Sequence, residues 1–274
     1  MRNTAALRTV YRVFLTGNSL KPESGGILRR LESRLRAVCE LVGAELDAGR
    51  QAILGTAPGL VVAVGGDGTL IGTARLLAGS GVPLAGVNAG KLGFLAEFSE
   101  DELLAELSSG TELAVSERMM LSVSTSTFGV SGAVAVNEVA IRDDYRLLRV
   151  SVSLDGVHLT DVPGDGVLLC TPTGSTAYNL AAGGPLVQPE VPAMVLTPVC
   201  PHGFGFRPLV LEAGRVVTIR PAAACGLSID GQPPVPVPAG GEVSVSRHPS
   251  PFALVHSRLR PPWHAMQAKL GWGR

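Results

Sequence analysis

Apolar runs alternate with helical repeats over the first hundred residues of the chain. Runs of apolar residues at positions 10–15, 60–64 and 82–87 predict three buried strands. Apolar positions at helical spacing predict a helix that begins near Leu28 and ends near Gly43, and two more over residues 70–78 and 101–107. Strands separated by helices favour a parallel sheet, whose ligands bind at the carboxyl ends of the strands.

The pattern changes after about residue 110, where strand signals follow one another with few helical repeats between them. Strands are predicted over residues 119–127, 132–141, 147–159, 167–170, 193–199, 209–211, 216–220 and 243–245. One helical segment is predicted over residues 175–182, and the prolines within residues 233–238 predict a surface loop there. This half of the chain favours a mostly antiparallel β domain of the sandwich type.

The end of the chain changes character again. A helix is predicted over residues 263–270. Its tryptophan and leucine need an apolar partner surface, so we expect it to pack back on the first domain. The predicted domains are an α/β domain of residues 1–110 with 250–274 and a β-rich domain of residues 111–249.

Composition narrows the class of protein. Hydrophobic residues make up 46% of the 274 positions and charged residues 17%, which is enough apolar material for a sizeable core. The formal net charge of zero argues against a nucleic-acid surface. No apolar run approaches the roughly 20 residues of a transmembrane helix, and residues 1–8 lack the apolar core of a signal peptide. We therefore expect a soluble, cytoplasmic protein with no nucleic-acid or membrane partner.

The spacing of cysteines and histidines does not indicate a metal site. The four cysteines are Cys39, Cys170, Cys200 and Cys225, and none of them forms a C-x-x-C pair. Cys200 lies close to His202 along the chain, but two ligands do not make a site. We therefore predict no metal centre built from protein side chains.

The most informative stretch is Gly65-Gly66-Asp67-Gly68-Thr69, which stands between a predicted strand and a predicted helix. Glycines there let backbone N–H groups approach an anion without a Cβ in the way, and the helix N-terminus adds positive potential. A carboxylate beside a phosphate is unfavourable unless it holds a metal or takes a proton. Asp67 is therefore either a catalytic acid–base group or a residue of the turn.

Two polar clusters follow in the second half of the chain. Residues 171–178 read Thr-Pro-Thr-Gly-Ser-Thr-Ala-Tyr, in which hydroxyls, a capped helix start and an aromatic ring suit a nucleoside. The alternative is a loop with an N-cap and a buried tyrosine. Asn137 and Glu138 interrupt the apolar run of residues 134–141, where they suit the vicinal hydroxyls of a ribose. The alternative is a strand end whose polar groups meet solvent.

Taken together, these segments resemble the NAD kinase family. The matching segments follow in order along nearly the whole chain and cover residues 65–70, 87–95, 137–139, 165–166, 171–178, 182–185, 197–202, 207–210, 230–232 and 269–272. The GGDGT segment alone is weakly specific, because lipid kinases and phosphofructokinases also carry it. The TPTGSTAY segment together with a separate Asn-Glu pair is specific.

The resemblance implies a Rossmann-like α/β domain followed by a β-sandwich-like domain, with the C-terminal segment returning to the first. It implies transfer of a phosphoryl group from ATP, or polyphosphate in some members, to the 2′-hydroxyl of the adenosine ribose of NAD. A divalent metal, Mg²⁺ by expectation, travels with the donor. The resemblance also implies a homo-oligomer, a dimer or tetramer, with the β domain at the interface.

Single residues take roles from the same resemblance. Asp67 resembles the proton acceptor for the attacking hydroxyl. The phosphate turn would be Gly65, Gly66, Gly68 and Thr69. Asn137 and Glu138 resemble ligands of the NAD hydroxyls, and Asp165 resembles a contact of the nicotinamide end. Further candidates for the NAD site are Asp67, Gly68, Phe94, Arg146, Thr176, Ala177, Tyr178, Ala181 and Gln232.

The chain departs from the family pattern at some of these positions. Pro163 stands where family members often carry a basic residue, two positions before Asp165. Ala181 stands where a serine hydroxyl is common. The register through residues 143–149 leaves the match of Arg146 open.

Two other functions share part of this pattern. A lipid kinase uses the same glycine turn, but it needs a membrane-facing surface, and no basic amphipathic helix is evident. A dehydrogenase or a non-catalytic dinucleotide-binding module would carry G-x-G-x-x-G after an early strand, which this sequence lacks. Phosphoryl transfer to NAD is therefore the favoured function.

Overall fold

The structure is a computed structural model that describes residues 11–125, 130, 132–143, 145–203, 205–261 and 263–271. Predictions that concern residues 1–10, 126–127 and 272 lie outside the described residues. The chain divides into two compact units, the first formed by Met1–Glu117 with Phe252–Arg274 and the second by Arg118–Pro251. Each unit has its own sheet structure and its own core.

The first unit is built on a six-stranded sheet. Its strands are β1 (Arg12–Gly17), β2 (Glu40–Leu46), β3 (Leu60–Val64), β4 (Leu84–Val87), β5 (Ala114–Arg118) and β18 (Phe252–His256), in the order β2-β1-β3-β4-β18-β5. The pairs β1–β2, β1–β3, β3–β4 and β4–β18 are parallel. Its helices are α1 (Pro22–Leu35), α2 (Arg50–Leu54), α3 (Asp67–Leu76), α4 (Glu100–Ser108) and α6 (His264–Leu270).

Continuous burial explains the clearest strand of this unit. All five residues of β3 are buried, as expected for a central strand of a sheet that is covered on both faces. Val62 and Val64 of β3 share a core with Leu31 of α1 and Phe98. The predicted strand at residues 60–64 and the helix after it are therefore confirmed, and the turn between them lies at the carboxyl end of a buried strand.

The helix predicted to end near Gly43 is wrong in its length. α1 ends at Leu35, and Glu40–Leu46 pairs with β1 as a parallel strand. Gly43 lies in that strand, where an added Cβ would come within 2.4 Å of the Phe14 ring. Its glycine marks the close approach of a side chain from the neighbouring strand rather than the end of a helix.

The C-terminal segment belongs to the first unit. β18 lies between β4 and β5 in the sheet, and α6 follows it. His256 at the end of β18 binds the Glu97 carboxylate through Nδ1 (3.0 Å) and the Ser116 hydroxyl through Nε2 (2.6 Å). The Arg260 guanidinium donates to both oxygens of Glu102 at 2.8 Å. The predicted return of the C-terminal helix to the first domain is confirmed, and the strand that precedes it was not predicted.

The second unit is a sandwich of two six-stranded sheets. One sheet has the order β10-β9-β14-β17-β6-β7 and the other β13-β12-β11-β8-β15-β16. These strands are β6 (Leu121–Thr125), β7 (Ala133–Ala135), β8 (Glu138–Arg142), β9 (Leu148–Leu154), β10 (Val157–Gly164), β11 (Gly166–Cys170), β12 (Ala193–Val199), β13 (Leu209–Glu212), β14 (Val217–Pro221), β15 (Cys225–Ile229), β16 (Val235–Val237) and β17 (Val243–Arg247). Residues from both sheets, among them Val152, Leu169 and Ile219, form one core. The predicted antiparallel β domain is confirmed.

Three details of this unit differ from the predictions. The apolar run 134–141 is two strands, because β7 belongs to one sheet and β8 to the other. Residues 233–238 are not wholly a loop, since Val235–Val237 pairs with β15. Prolines are tolerated in β16 because it is the last strand of its sheet. The helical segment predicted at residues 175–182 is a 3-10 turn (Thr173–Thr176) followed by the short helix α5 (Tyr178–Ala181).

Among the residues that the structure describes, none of the helices combines the length and the apolar character needed to cross a membrane.

Candidate active site

The glycine turn of the first unit presents its backbone to solvent. Gly66 is the N-cap of α3, and the first N–H groups of a helix have no partner within it. Gly66 and Gly68 are exposed, and a Cβ added to either would meet none of the described atoms within 4 Å. Gly65 is buried and donates its N–H to the Val87 carbonyl at 2.9 Å, while the Thr69 N–H donates to the Gly66 carbonyl at 2.9 Å. The turn therefore leaves open space in front of a helix N-terminus, which suits an anion.

The Asp67 carboxylate is held by three backbone N–H groups of a neighbouring loop. The Phe94 N–H donates to Oδ2 at 2.9 Å, and the Leu95 and Ala96 N–H groups donate to Oδ1 at 2.9 and 3.2 Å. The Asp67 side chain keeps 26% of its surface exposed. Three donors fix the orientation of a carboxylate that still meets solvent.

A glycine makes this arrangement possible. A Cβ added at Gly93 would lie 2.0 Å from Asp67 Oδ1, so any other residue there would displace the carboxylate. Gly93 belongs to the segment that sequence analysis matched at residues 87–95, yet it was not among the predicted site residues. The role of Gly93 follows only from its contact with Asp67, 26 positions away along the chain. Because Gly93 has no side chain, there is room for the Asp67 carboxylate.

Lys269 adds a cation to the same place. Its Nζ lies 3.6 Å from Asp67 Oδ2 and 4.4 Å from the centroid of the Phe94 ring. Phe94, a predicted residue of the NAD site, therefore donates its N–H to Asp67 and places its ring against Lys269. The turn, the carboxylate and the ammonium together provide hydrogen-bond donors, a proton acceptor and positive charge, which are the parts that phosphoryl transfer needs.

In the second unit, Asn137 and Glu138 are organised by Asp230. The Asp230 carboxylate accepts N–H groups from Val136 (2.9 Å to Oδ2), Asn137 (2.7 Å to Oδ1) and Glu138 (3.1 Å to Oδ1). Asp230 itself has a left-handed backbone (φ 48°). Asn137 and Glu138 are 9% and 6% exposed, so the alternative of a solvated strand end is wrong. These residues stand where the chain crosses from one sheet to the other.

Glu138 has an unusual environment for a carboxylate. Burial, and then the negative charge of Asp230, raise the pKa of Glu138 to about 7 against a lowering contribution from the Tyr178 N–H, which donates to it. Among the described residues its Oε2 atom has no hydrogen-bond partner. A buried oxygen without a partner is costly, and a ligand hydroxyl would satisfy it.

The segment of residues 171–178 packs directly behind the Asn-Glu pair. The Thr171 hydroxyl donates to the Val136 carbonyl at 2.6 Å, and the Thr171 N–H donates to the Asn137 carbonyl at 2.8 Å. A Cβ at Gly174 would come within 2.2 Å of that same carbonyl. Neither Ser175 nor Thr176 caps α5, which corrects that part of the prediction. The Ser175 hydroxyl donates to the Pro172 carbonyl and accepts from the Val187 N–H, and the Thr176 hydroxyl donates to the Thr173 carbonyl.

A cavity of about 440 Å³ opens beside Glu138. Its lining includes Glu138, Tyr178, Arg142, Ser228 and Gly231. Arg142 Nη1 donates to the Tyr178 hydroxyl at 3.1 Å, and the guanidinium lies 5.8 Å from the centre of that ring. Tyr178 is therefore partly exposed with its ring at the cavity, not buried in the core. An aromatic face beside an unpartnered carboxylate oxygen suits a nucleoside.

The other predicted residues do not line this cavity. Asp165 accepts a hydrogen bond from the Cys200 thiol, which raises the pKa of that thiol. Arg146 is an exposed loop residue whose N–H donates to Asp143, and the Gln232 carbonyl accepts from Ser228 in the turn after β15. Thr176 and Ala177 are half-buried and Ala181 is exposed. The roles of these residues stay predictions.

Four residues that build these arrangements were not predicted as site residues from the sequence. They are Gly93, Arg142, Asp230 and Lys269. Gly93, Asp230 and Lys269 fall in segments that resemble the family, so a signal existed for their importance but not for their contacts. Arg142 carries no such signal, because a basic residue at the end of a strand is common.

The residues at the glycine turn could hold a divalent metal only if the phosphate donor supplied most of the metal's ligands. The described parts of the chain contain no group of three His, Cys, Asp or Glu side chains that could hold a metal ion. Asp67 is the acidic group at the glycine turn, and its oxygens already accept three N–H bonds. A metal bound through phosphate oxygens and waters, with at most this one carboxylate nearby, is the arrangement typical of Mg²⁺.

Comparison with known proteins identifies the family of this chain. Residues 45–111 match the model of the ATP-NAD kinase N-terminal domain, and residues 136–257 match that of the ATP-NAD kinase C-terminal domain. The chain is 38% identical to the NAD kinase of Geotalea daltonii over 223 residues, which cover 78% of both chains. It is 39% identical to the NAD kinase of Halorhodospira halophila over 227 residues, covering 78% of this chain and 74% of the relative.

Solved structures show the same relation. The yeast NADH kinase complexed with NADH superposes with a TM-score of 0.84 at 25% identity, covering 96% of this chain and 88% of the yeast chain. An NAD kinase from Archaeoglobus fulgidus in complex with ATP superposes with a TM-score of 0.78 at 25% identity, covering 95% and 97%. With both family models matched in order and these relatives aligned along most of its length, the chain belongs to the NAD kinase family.

Proposed function

We propose that this protein transfers a phosphoryl group from ATP to the 2′-hydroxyl of the adenosine ribose of NAD, giving NADP. Family membership supports the reaction. The observation that carries the proposal is the Asp67 carboxylate, fixed by three N–H groups at the exposed N-terminus of α3. A glycine turn alone would bind phosphate, whereas an oriented carboxylate in that turn can also take a proton.

One bond forms and one bond breaks in this transfer. The bond between the new phosphate and the 2′-oxygen forms, and the bond between the transferred phosphorus and the oxygen that links it to the rest of the donor breaks. The proton of the hydroxyl goes to Asp67. The N–H groups at Gly66 and Gly68 bind donor oxygens, where the open space accepts them. Mg²⁺ bound to the donor supplies additional neutralisation of phosphate charge.

Recognition of NAD falls to the second unit. The Glu138 oxygen that has no partner among the described residues accepts a hydrogen bond from a ribose hydroxyl. Asn137 beside it supplies a second polar contact. The Tyr178 ring at the cavity provides a face for the adenosine. Thr176, Ala177, Asp165, Ala181, Arg146 and Gln232 are proposed as further NAD contacts on the basis of the resemblance alone.

The direct experiment offers the purified protein alternative acceptors and donors. NAD, NADH and diacylglycerol are each incubated with Mg²⁺ and ATP, and NAD also with polyphosphate, and phosphorylated product is measured by chromatography. We expect NADP from NAD and ATP, and no phosphorylated lipid. Phosphorylation of diacylglycerol with none of NAD would replace this proposal by the lipid kinase, for which the comparisons offer no support.

A homo-oligomer with the β unit at its interface is also proposed. β10 and β13 are each the first strand of their sheet, and both carry exposed apolar side chains, Val157 (72% exposed) and Val210 (52%) among them. A second copy of the chain would cover them. Sedimentation should give a dimer or tetramer for the wild type and a smaller species for Val157→Lys with Val210→Lys. A wild-type monomer at micromolar concentration would contradict this. Cytoplasmic location stays a prediction.

A further inference from the structure

The C-terminal helix places a cation at the phosphate turn. Lys269 comes from α6, more than 200 positions after Asp67, and its ammonium lies 3.6 Å from Asp67 Oδ2. Its side chain keeps 34% of its surface exposed. The ring of Phe94 covers one side of the ammonium at 4.4 Å, and such a contact holds a cation without using its N–H donors.

Within the described part of the chain, no hydrogen bond uses the three donors of this ammonium. A separation of 3.6 Å is longer than a hydrogen bond, and across the described residues Lys269 makes no side-chain hydrogen bond. The Asp67 oxygens are already bonded to three N–H groups, so they do not need this cation as a donor. The ammonium therefore lies beside the turn with N–H groups available to a ligand.

The C-terminal segment does not need Lys269 as an anchor. β18 pairs with β4 inside the sheet, Arg260 binds both oxygens of Glu102 at 2.8 Å, and His256 bonds to Glu97 at 3.0 Å. These contacts are shorter than that of Lys269. A purely structural role would leave no reason to keep an ammonium, desolvated on its aromatic side, next to open space.

We infer that Lys269 binds the phosphoryl group that is transferred, as a further catalytic residue of the proposed NAD kinase reaction. This inference rests on the proposed function. Its ammonium donates to an equatorial oxygen of the phosphoryl group while the hydroxyl proton passes to Asp67. Positive charge there stabilises the negative charge carried by those oxygens in the transition state. The ligand class is a phosphate chain, and no bond to Lys269 forms or breaks.

Three variants test this inference. Lys269→Met keeps an unbranched side chain, one heavy atom shorter, and removes its charge. Lys269→Arg keeps the charge, and Gln267→Met alters an exposed residue of the same helix as a control. Removing one well-placed donor lowers turnover by about 10²–10³-fold. We expect that loss of kcat in Lys269→Met, with the Michaelis constant for NAD within about threefold of wild type. Lys269→Arg should recover at least tenfold of the loss, and Gln267→Met should behave as wild type.

A Lys269→Met turnover within threefold of wild type would overturn the inference, and so would equal losses in the folded Met and Arg variants, because charge would then not be the working property. If Lys269→Met does not fold, Lys269→Gln is judged by the same criteria.

Calorimetry with inorganic tripolyphosphate gives a second readout that needs no turnover. Lys269→Met should bind the tripolyphosphate about tenfold more weakly than wild type, and unchanged affinity would count against the inference. Absence of NADP formation by the wild type, with binding of tripolyphosphate that depends on Lys269, would reject the proposed function and keep the phosphate site.

Discussion

Each of the two units contains an aspartate whose carboxylate accepts hydrogen bonds from three backbone N–H groups, but the charged groups beside the two carboxylates differ. Asp67 accepts from residues 94–96, keeps 26% of its side-chain surface exposed and has the Lys269 ammonium beside it. Asp230 accepts from residues 136–138 and has another acid, Glu138, as its neighbour. The geometry of the carboxylates is alike, and the charges around them differ in sign.

That difference indicates a division of labour. A carboxylate that is exposed at a glycine turn and flanked by a cation is oriented for a ligand, because part of it still meets solvent. Asp230 instead organises the backbone of Asn137 and Glu138, and its charge makes the ionised form of Glu138 less favourable. We infer that Asp67 serves the chemical step and that Asp230 serves the binding of NAD.

The largest expected effect comes from Asp67→Asn. The amide cannot take the hydroxyl proton, so kcat for NADP formation should fall by about 10²–10⁴-fold, which corresponds to roughly 3–5 kcal/mol in the barrier. The measurement is initial-rate kinetics with saturating ATP and Mg²⁺. Asp101→Asn, a change at an exposed aspartate of the same unit, is the matched control and should leave kcat unaltered. Near-normal turnover in Asp67→Asn would remove Asp67 from the chemistry.

Glu138→Gln should change how stability depends on pH. The folded-state pKa of Glu138 is raised from 4.5 to about 7, so the folded protein binds more protons than the unfolded chain between these values, and wild-type stability falls as pH rises through that window. The shift corresponds to about 3 kcal/mol. Glutamine does not ionise. In denaturant unfolding, the loss of stability between pH 4.5 and pH 8 should therefore be about 3 kcal/mol smaller for the variant than for wild type. Parallel curves for the two proteins would contradict the assignment.

Asp230→Asn should have a smaller effect on stability. An amide offers one acceptor oxygen where three N–H groups now bond to a carboxylate, and leaving a buried donor unpaired costs about 1–3 kcal/mol. Urea unfolding at pH 7 measures the loss. Removing the negative charge should also move the pH-dependent loss of stability to lower pH, because the pKa of Glu138 falls.

Asp155→Asn is the matched control for this change. Asp155 also has a left-handed backbone (φ 50°) and accepts an N–H, from Val216 at 2.9 Å, but it is a surface residue paired with Arg215. It should cost less stability and leave the pH dependence unmoved. An unmoved pH dependence in Asp230→Asn as well would show that the two acids are not coupled.

Elements of the fold were predicted correctly where a short stretch of sequence is enough to determine them. The run Leu60–Val64 is apolar throughout because the strand is buried on both faces, and the glycine turn after it is equally local. The strand Glu40–Leu46 carries no such signal, because it is partly exposed at the edge of the sheet and contains Gly43. The placement of β18 between β4 and β5 depends on pairing with residues far away along the chain, which no window of sequence reports.

The candidate site divides in the same way. Asp67, Asn137, Glu138 and Tyr178 could be predicted as site residues because polar groups in apolar or glycine-rich surroundings stand out in a sequence, and because their segments resemble those of the family. Asp230 lies 92–94 positions from the N–H groups that it binds, and Lys269 lies on a different helix from Asp67. Their roles follow from contacts between residues that are far apart in the sequence. The sequence could therefore indicate that their segments are important, but not which residues they contact.

The Michaelis constants for NAD of Asp67→Asn and Asp230→Asn, measured side by side, test the division of labour most directly. We predict a value within about threefold of wild type for Asp67→Asn and a value raised about ten- to hundredfold for Asp230→Asn, since each 1.4 kcal/mol of lost binding is a factor of ten. Equal Michaelis constants in the two variants, or the larger rise in Asp67→Asn, would contradict it.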